Sequence, residues 1–110
     1  MKTLVVGNTG FLGYNTVQRL LEHGYEVTGV SLTPTPDELP NLPQVRQVLA
    51  DLNLLSDEEL LALLDGMEGL IFAAGADDRT IPDAPAYPFF YKANVESTAR
   101  LLRLARQAGV

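Results

Sequence analysis

The chain has 110 residues, 46% of them hydrophobic, a net charge of −6 and no cysteine. Such a length bounds it to one small domain, and that apolar fraction supports a globular core rather than disorder. The acidic balance argues against nucleic acid or an anionic membrane as partner, and the missing thiols remove disulfides and thiolate metal sites.

The N-terminal residues Met1-Lys2-Thr3 run straight into a strand rather than a signal peptide, and no apolar run approaches the roughly 20 residues that span a bilayer, so the expected location is cytoplasmic. Thr3 to Val6 lacks polar alternation and reads as a strand buried on both faces. It is followed by Gly7-Asn8-Thr9-Gly10-Phe11-Leu12-Gly13, a G-x-x-G-x-x-G turn opening a helix. Gly7 permits a sharp turn, Gly10 permits close approach of a ligand to the backbone, and Gly13 permits close packing of helix on strand. The helix start presents unpaired N–H groups and a partial positive charge, which suits a pyrophosphate. A glycine-rich turn also occurs with no ligand, so the motif gains weight only from the strand before it and the helix after it. The absence of Gly-Lys-Ser/Thr excludes a P-loop.

Phe11 to His23 reads as the helix, with Leu12, Thr16, Val17, Leu20 and Leu21 on one face and Gly24 as its stop. His23 reads as a capping or solvated residue, and a lone histidine leaves no histidine-rich metal site. Tyr25 to Leu32 reads as the second strand. Its end, Ser31-Leu32-Thr33, holds neither the acid that binds adenosine ribose hydroxyls nor the Arg that binds a 2′-phosphate. The nearby Asp37 and Glu38 would repel an extra phosphate, which favours NAD and leaves NADP open. Thr33 to Pro43 carries four prolines and reads as an extended surface loop.

Gln44 to Leu49 reads as a third strand, which places Asp51 and Leu52 at its carboxyl end, the ligand edge of a parallel sheet. Asp51 also suits a plain turn or cap. Ser56 and Glu59 form a capping box for a helix that stops at Asp65-Gly66. Leu70 to Ala74 reads as a fourth strand, and Gly75 lets the chain leave it close to a ligand. Asp77-Asp78-Arg79 reads as a solvated loop, too poor in ligands for a metal, and Pro82, Pro85 and Pro88 punctuate the approach to a last helix. That helix, from about Phe89 to Ala108, is expected to bury Val95, Ala99, Leu102 and Ala105. Lys92, Glu96, Arg100 and Arg103 would face solvent, with Glu96 and Arg100 paired. Gly109 stops it, and Val110 would begin a fifth strand.

Strand–helix alternation with buried strands predicts an α/β, Rossmann-type three-layer parallel sheet of order 3-2-1-4, ending before strand five. The exposed apolar edge of strand four predicts either a fragment of a longer protein or self-association along that edge.

With these residues in place, the chain resembles the N-terminal part of an extended short-chain dehydrogenase/reductase of the NAD-dependent epimerase/dehydratase family. The resemblance covers nearly the whole chain. It rests on the ordered set Gly7 to Gly13, Asp51-Leu52, Ala73-Ala74-Gly75-Ala76, Tyr91-Lys92-Ala93-Asn94-Val95, and the ending Leu101 to Val110.

The resemblance implies that residues 1–110 are the N-terminal portion of an NAD(P)-binding domain whose substrate domain is absent. Gly7, Asn8, Thr9, Gly10 and Gly13 would form the pyrophosphate turn, with backbone N–H groups from Phe11 and Leu12. Ser31-Leu32 departs from the acid or Arg usual in the family, and there Ser31 or Thr33 could hydrogen-bond a ribose or a phosphate; Asp51 and Leu52 would meet the adenine, and Ala73, Ala74 and Gly75 would pass beside the nicotinamide ribose. Asn94 would be the family's structural asparagine. The family's catalytic Tyr-x-x-x-Lys pair is missing here: positions four after the tyrosines hold Gln18, Gly29, Tyr91 and Val95. No catalytic residue is therefore assigned, and this chain alone is expected to be inactive. The parent would transfer hydride at a hydroxyl or carbonyl carbon of a sugar-nucleotide-like or related substrate. An alternative is a non-catalytic dinucleotide sensor. A phosphoacceptor signalling domain, invited by Asp51, fails because the turn after strand one lacks acidic Mg²⁺ ligands.

Overall fold

The computed structural model describes residues 1–75 and 86–110; Ala76, the Asp77-Asp78-Arg79 loop, Pro82 and Pro85 lie outside the described residues. Four strands, β1 (Lys2–Val6), β2 (Glu26–Ser31), β3 (Arg46–Leu49) and β4 (Gly69–Phe72), form one sheet of order β3-β2-β1-β4. All pairs are parallel, with Val6 opposite Val30 and Phe72, and Ser31 opposite Leu49. The expected order and direction are therefore those observed. The strands are shorter than expected at β2, β3 and β4.

The helices are α1 (Phe11–Glu22), α2 (Asp57–Leu64), α3 (Ala86–Tyr91) and α4 (Ser97–Ala108), with a π-turn at Lys92–Glu96 joining the last two. Right-handed crossovers put them on opposite faces. The β1-to-β2 step moves one way along the sheet and the β3-to-β4 step moves the other, so α1 and α2 cannot share a face. Alternation along β1 serves both layers. Leu4 and Val6 pack with Leu60 and Leu64 of α2 and with Leu101, Leu104 and Ala105 of α4. Val5 packs with Val17 of α1 and Val27 on the other face. Each fully buried leucine contributes roughly 1.5–3 kcal/mol.

Local chemistry fixes the helix ends. Ser56 Oγ accepts from Glu59 N–H, and Glu59 accepts from Ser56 N–H at 3.1 Å, completing the capping box. His23 sits at the α1 C-terminus with Nδ1 2.8 Å from the Arg19 carbonyl, and Gly24 follows with φ +78°. Val110 forms no strand; its N–H donates to the Ala105 carbonyl at 3.0 Å beyond Gly109.

Two helix faces differ from expectation. Leu12 is 69% exposed, and Gly13, Tyr14 and Val17 are the buried positions of α1. In the last helix Val95 and Leu102 are exposed, while Leu101, Leu104 and Ala105 are buried. The π-turn places one extra residue before α4 and rotates every later side chain by a fraction of a turn. Arg100 turns inward to Asp57 rather than pairing with Glu96 on the solvent face.

Candidate nucleotide site at the carboxyl edge of the sheet

Parallel strands bring all four carboxyl ends to one edge. The turn from Gly7 to Gly13 leaves β1, Ser31 ends β2, Asp51 and Leu52 follow β3, and Ala73 to Gly75 follow β4. Asn94 joins them from the π-turn: its Oδ1 stands 3.1 Å from the point a Gly75 β-carbon would occupy. Every site residue named from the sequence thus lies at or beside this edge.

The three turn glycines are required for different reasons. Gly7 has φ +84°, and a β-carbon there would come within 2.7 Å of the Ala74 nitrogen. Its N–H donates to the Val30 carbonyl at 2.7 Å, which ties the turn to β2. A β-carbon at Gly13 would collide with the Gly7 carbonyl. Gly10 differs from both: its φ is −77°, and a β-carbon there would meet only the Gly7 oxygen, at 3.6 Å. The protein itself places no steric demand on position 10.

Gly10 is the N-cap of α1 and supplies no side-chain cap, and the first turn of α1 carries no acidic residue. First-turn N–H groups have no acceptor within their own helix. Together with the helix dipole they form a site suited to an anion. Phe11 and Leu12 are exposed here, so a bound group reaches their backbone without displacing core.

Asn8 and Ser31 are buried, at 5% and 7% exposure, and both face inward. Asn8 packs on the α-carbon of Gly29, where any side chain would collide with it. Its Nδ2 donates to Gln47 Oε1 at 2.7 Å, and Gln47 Nε2 donates to Ser31 Oγ at 3.0 Å. Ser31 Oγ in turn donates to the Thr33 carbonyl at 2.6 Å, which also accepts from Thr9 Oγ1 at 3.2 Å. The end of β2 therefore carries a neutral chain of hydrogen bonds across β1, β2 and β3. Gln47 was not legible as part of it, because one polar residue in a short edge strand carries no distinguishing pattern.

Asp51 makes a compact turn. Its Oδ1 accepts from Asn53 N–H at 2.9 Å, and Leu54 N–H donates to its carbonyl at 2.9 Å. Arg100 grips this turn from α4, donating to the carbonyls of Leu52 at 2.9 Å and Leu55 at 2.7 Å and pairing with Asp57 at 2.8 Å. Beside it, Ser97 Oγ lies 2.7 Å from Asn53 Oδ1. Among the described residues no three or more His, Cys, Asp or Glu gather to hold a metal ion, and no helix is long and apolar enough to cross a membrane.

A twisted parallel sheet of this order, with a glycine turn at its central strand, defines the Rossmann-type class. The sequence profile of the NAD dependent epimerase/dehydratase family matches residues 3–110. The chain belongs to that family. It is 38% identical over 107 residues to a protein of Synechocystis sp. with the provisional name dihydroflavonol 4-reductase, covering 96% of this chain and 29% of the relative. It is 32% identical over 113 residues to the 3-beta-hydroxysteroid dehydrogenase of Mycolicibacterium neoaurum, covering 99% of this chain and 30% of the relative. Among solved structures, MoeE5 in complex with UDP-glucuronic acid and NAD superposes with a TM-score of 0.80 at 30% identity, covering 100% of this chain and 34% of that one. The chain thus spans about a third or less of the length of these relatives.

Proposed function

We propose that this chain is the dinucleotide-binding portion of an NAD-dependent epimerase, dehydratase or reductase, and that these 110 residues alone are catalytically silent. The observation that carries the reading is Gly10. Gly7 and Gly13 answer to the protein's own packing, whereas the open space over Gly10 serves only something outside the protein. The N–H groups of the first turn of α1 would hold the pyrophosphate, Asp51 and Leu52 the adenine, and Ala73 to Gly75 the nicotinamide ribose. The bound nicotinamide supplies a hydride acceptor or donor. What these residues do is orient the dinucleotide along the edge and fix its two ends.

Ser31 favours NAD over NADP. Its hydroxyl proton is committed to the Thr33 carbonyl, so it offers the ligand a lone pair. A lone pair accepts from a ribose hydroxyl and repels a 2′-phosphate. Arg100, the guanidinium that reaches the turn after β3, is already committed to Asp57 and two carbonyls.

The substrate belongs to residues beyond this chain. We assign the parent a hydroxyl or carbonyl carbon of a sugar-nucleotide-like or related molecule, in keeping with relatives named for dihydroflavonol and 3-beta-hydroxysteroid chemistry and a similar structure that holds UDP-glucuronic acid with NAD. The partners we assign are the cofactor and, in a longer parent, that small molecule, in the cytoplasm, with neither nucleic acid nor membrane.

Calorimetric titration with NADH and NADPH side by side tests the reading. NADH is expected to saturate with the higher affinity, and Gly10→Val to abolish binding while the chain stays folded. A folded wild-type chain that binds neither nucleotide overturns it.

A further inference from the structure

We propose that Arg100 is a positioning residue for adenine recognition, acting by holding the 51–55 turn in the shape that presents Asp51. The proposal rests on the cofactor reading above. It starts from an imbalance in the turn. The N–H groups of Asn53, Leu54 and Leu55 are satisfied within it, by Asp51 Oδ1 and by the carbonyls of Asp51 and Leu52. The Leu52 and Leu55 carbonyls point to α4, and one side chain reaches both: Arg100 Nη1 donates to Leu52 at 2.9 Å and Nη2 to Leu55 at 2.7 Å.

The guanidinium is pinned from its other side as well. Nε and Nη2 donate to Asp57 Oδ1 at 3.0 and 2.8 Å, at the first residue of α2. A planar group with donors in fixed directions transmits position in a way a single ammonium does not. Its own backbone is fixed by the neighbouring Leu101 and Leu104, both in the core against the sheet. The chain of contacts therefore runs from the core through α4 and Arg100 to the turn, and ends at the Asp51 carboxylate. One Asp51 oxygen is held by Asn53 N–H. The other is free to accept from the exocyclic amine of adenine, and its direction is set by the turn.

The test compares NAD with nicotinamide hypoxanthine dinucleotide, in which a carbonyl replaces that amine, by calorimetric titration of this chain. Wild type is expected to prefer NAD by about tenfold or more, the size expected for a hydrogen bond to a charged acceptor. Arg100→Ala is expected to weaken NAD by about tenfold and bring the ratio of the two affinities close to one. Arg100→Lys keeps a charge beside Asp57 but cannot span two carbonyls, so its ratio should fall partway; it carries the test if Arg100→Ala does not fold. A merely structural loss lowers both affinities alike and leaves the ratio unchanged, so a wild-type ratio in the folded variants overturns the proposal and leaves the cofactor reading standing. A wild type that binds both dinucleotides equally removes the adenine contact at Asp51, and the Arg100 role with it. A wild type that binds neither removes the cofactor reading itself.

Discussion

Gly13 lies against Gly7 so closely that a β-carbon on the first would overlap the carbonyl of the second. The contact seats α1 on the end of β1. Gly13→Ala therefore forces the helix away from the strand that it covers. Overpacking of this kind costs about 1–3 kcal/mol, and the rigid backbone on the other side puts this case at the upper end. At about 3 kcal/mol, a thermal melt is expected to fall by roughly 12–24 °C, given about 4–8 °C per kcal/mol in a domain of this size. A melt within a degree or two of wild type would show that the helix slides freely.

Ser31→Asp tests the proposed ribose contact at the end of β2. A carboxylate there accepts from ribose hydroxyls and repels a 2′-phosphate. The expected result is an NADH-to-NADPH preference raised by about tenfold over wild type. An unchanged ratio in paired titrations would place the ribose away from the end of β2.

Ser56→Ala removes the oxygen that accepts from Glu59 N–H. Loss of such a cap costs about 1 kcal/mol. The melt should drop by about 4–8 °C. Since Ser56 follows the Asp51 turn directly, NADH titration of the folded variant also reports whether the start of α2 supports that turn.

The outer edge of β4 has no partner strand among the described residues. Open apolar edges recruit other strands. We expect light scattering to show concentration-dependent association of this chain. A monomer across the full concentration range would remove the edge as an association site.

Much of this architecture is legible in the sequence because its signals are local. The glycine turn, the Ser56–Glu59 box and the apolar strand runs each depend on a few neighbouring residues, and together they fix the order of the sheet. The last helix is different. The buried face of α4, Leu101, Leu104, Ala105 and Ala108, has the i, i+3, i+4, i+7 spacing, but a register carried on from Val95 and Ala99 leads to Leu102 instead. The π-turn at Lys92–Glu96 interrupts the register between Val95 and α4, and the spacing of apolar residues does not reveal such a turn. Arg100 is hidden from the sequence for a related reason. A charged residue on a helix reads as solvated unless the acceptors that draw it inward, more than 40 residues away in sequence, are known. For Ser31 the sequence located the position but not its partners: Gln47 and Thr33 become visible only once β2 and β3 lie side by side.

The hydrogen-bonded series from Asn8 through Gln47 and Ser31 to Thr33 links three strand ends that are distant in sequence. Contacting residues in one network do not contribute independently. A lineage altering its choice of cofactor at this edge would thus meet epistasis. A change that removes the Ser31 hydroxyl leaves Gln47 Nε2 only its longer contact to the Val48 carbonyl at 3.3 Å, and a change at Gln47 strands the buried amide of Asn8. Substitutions here become tolerable in pairs, which makes this neutral series of hydrogen bonds an inherited constraint.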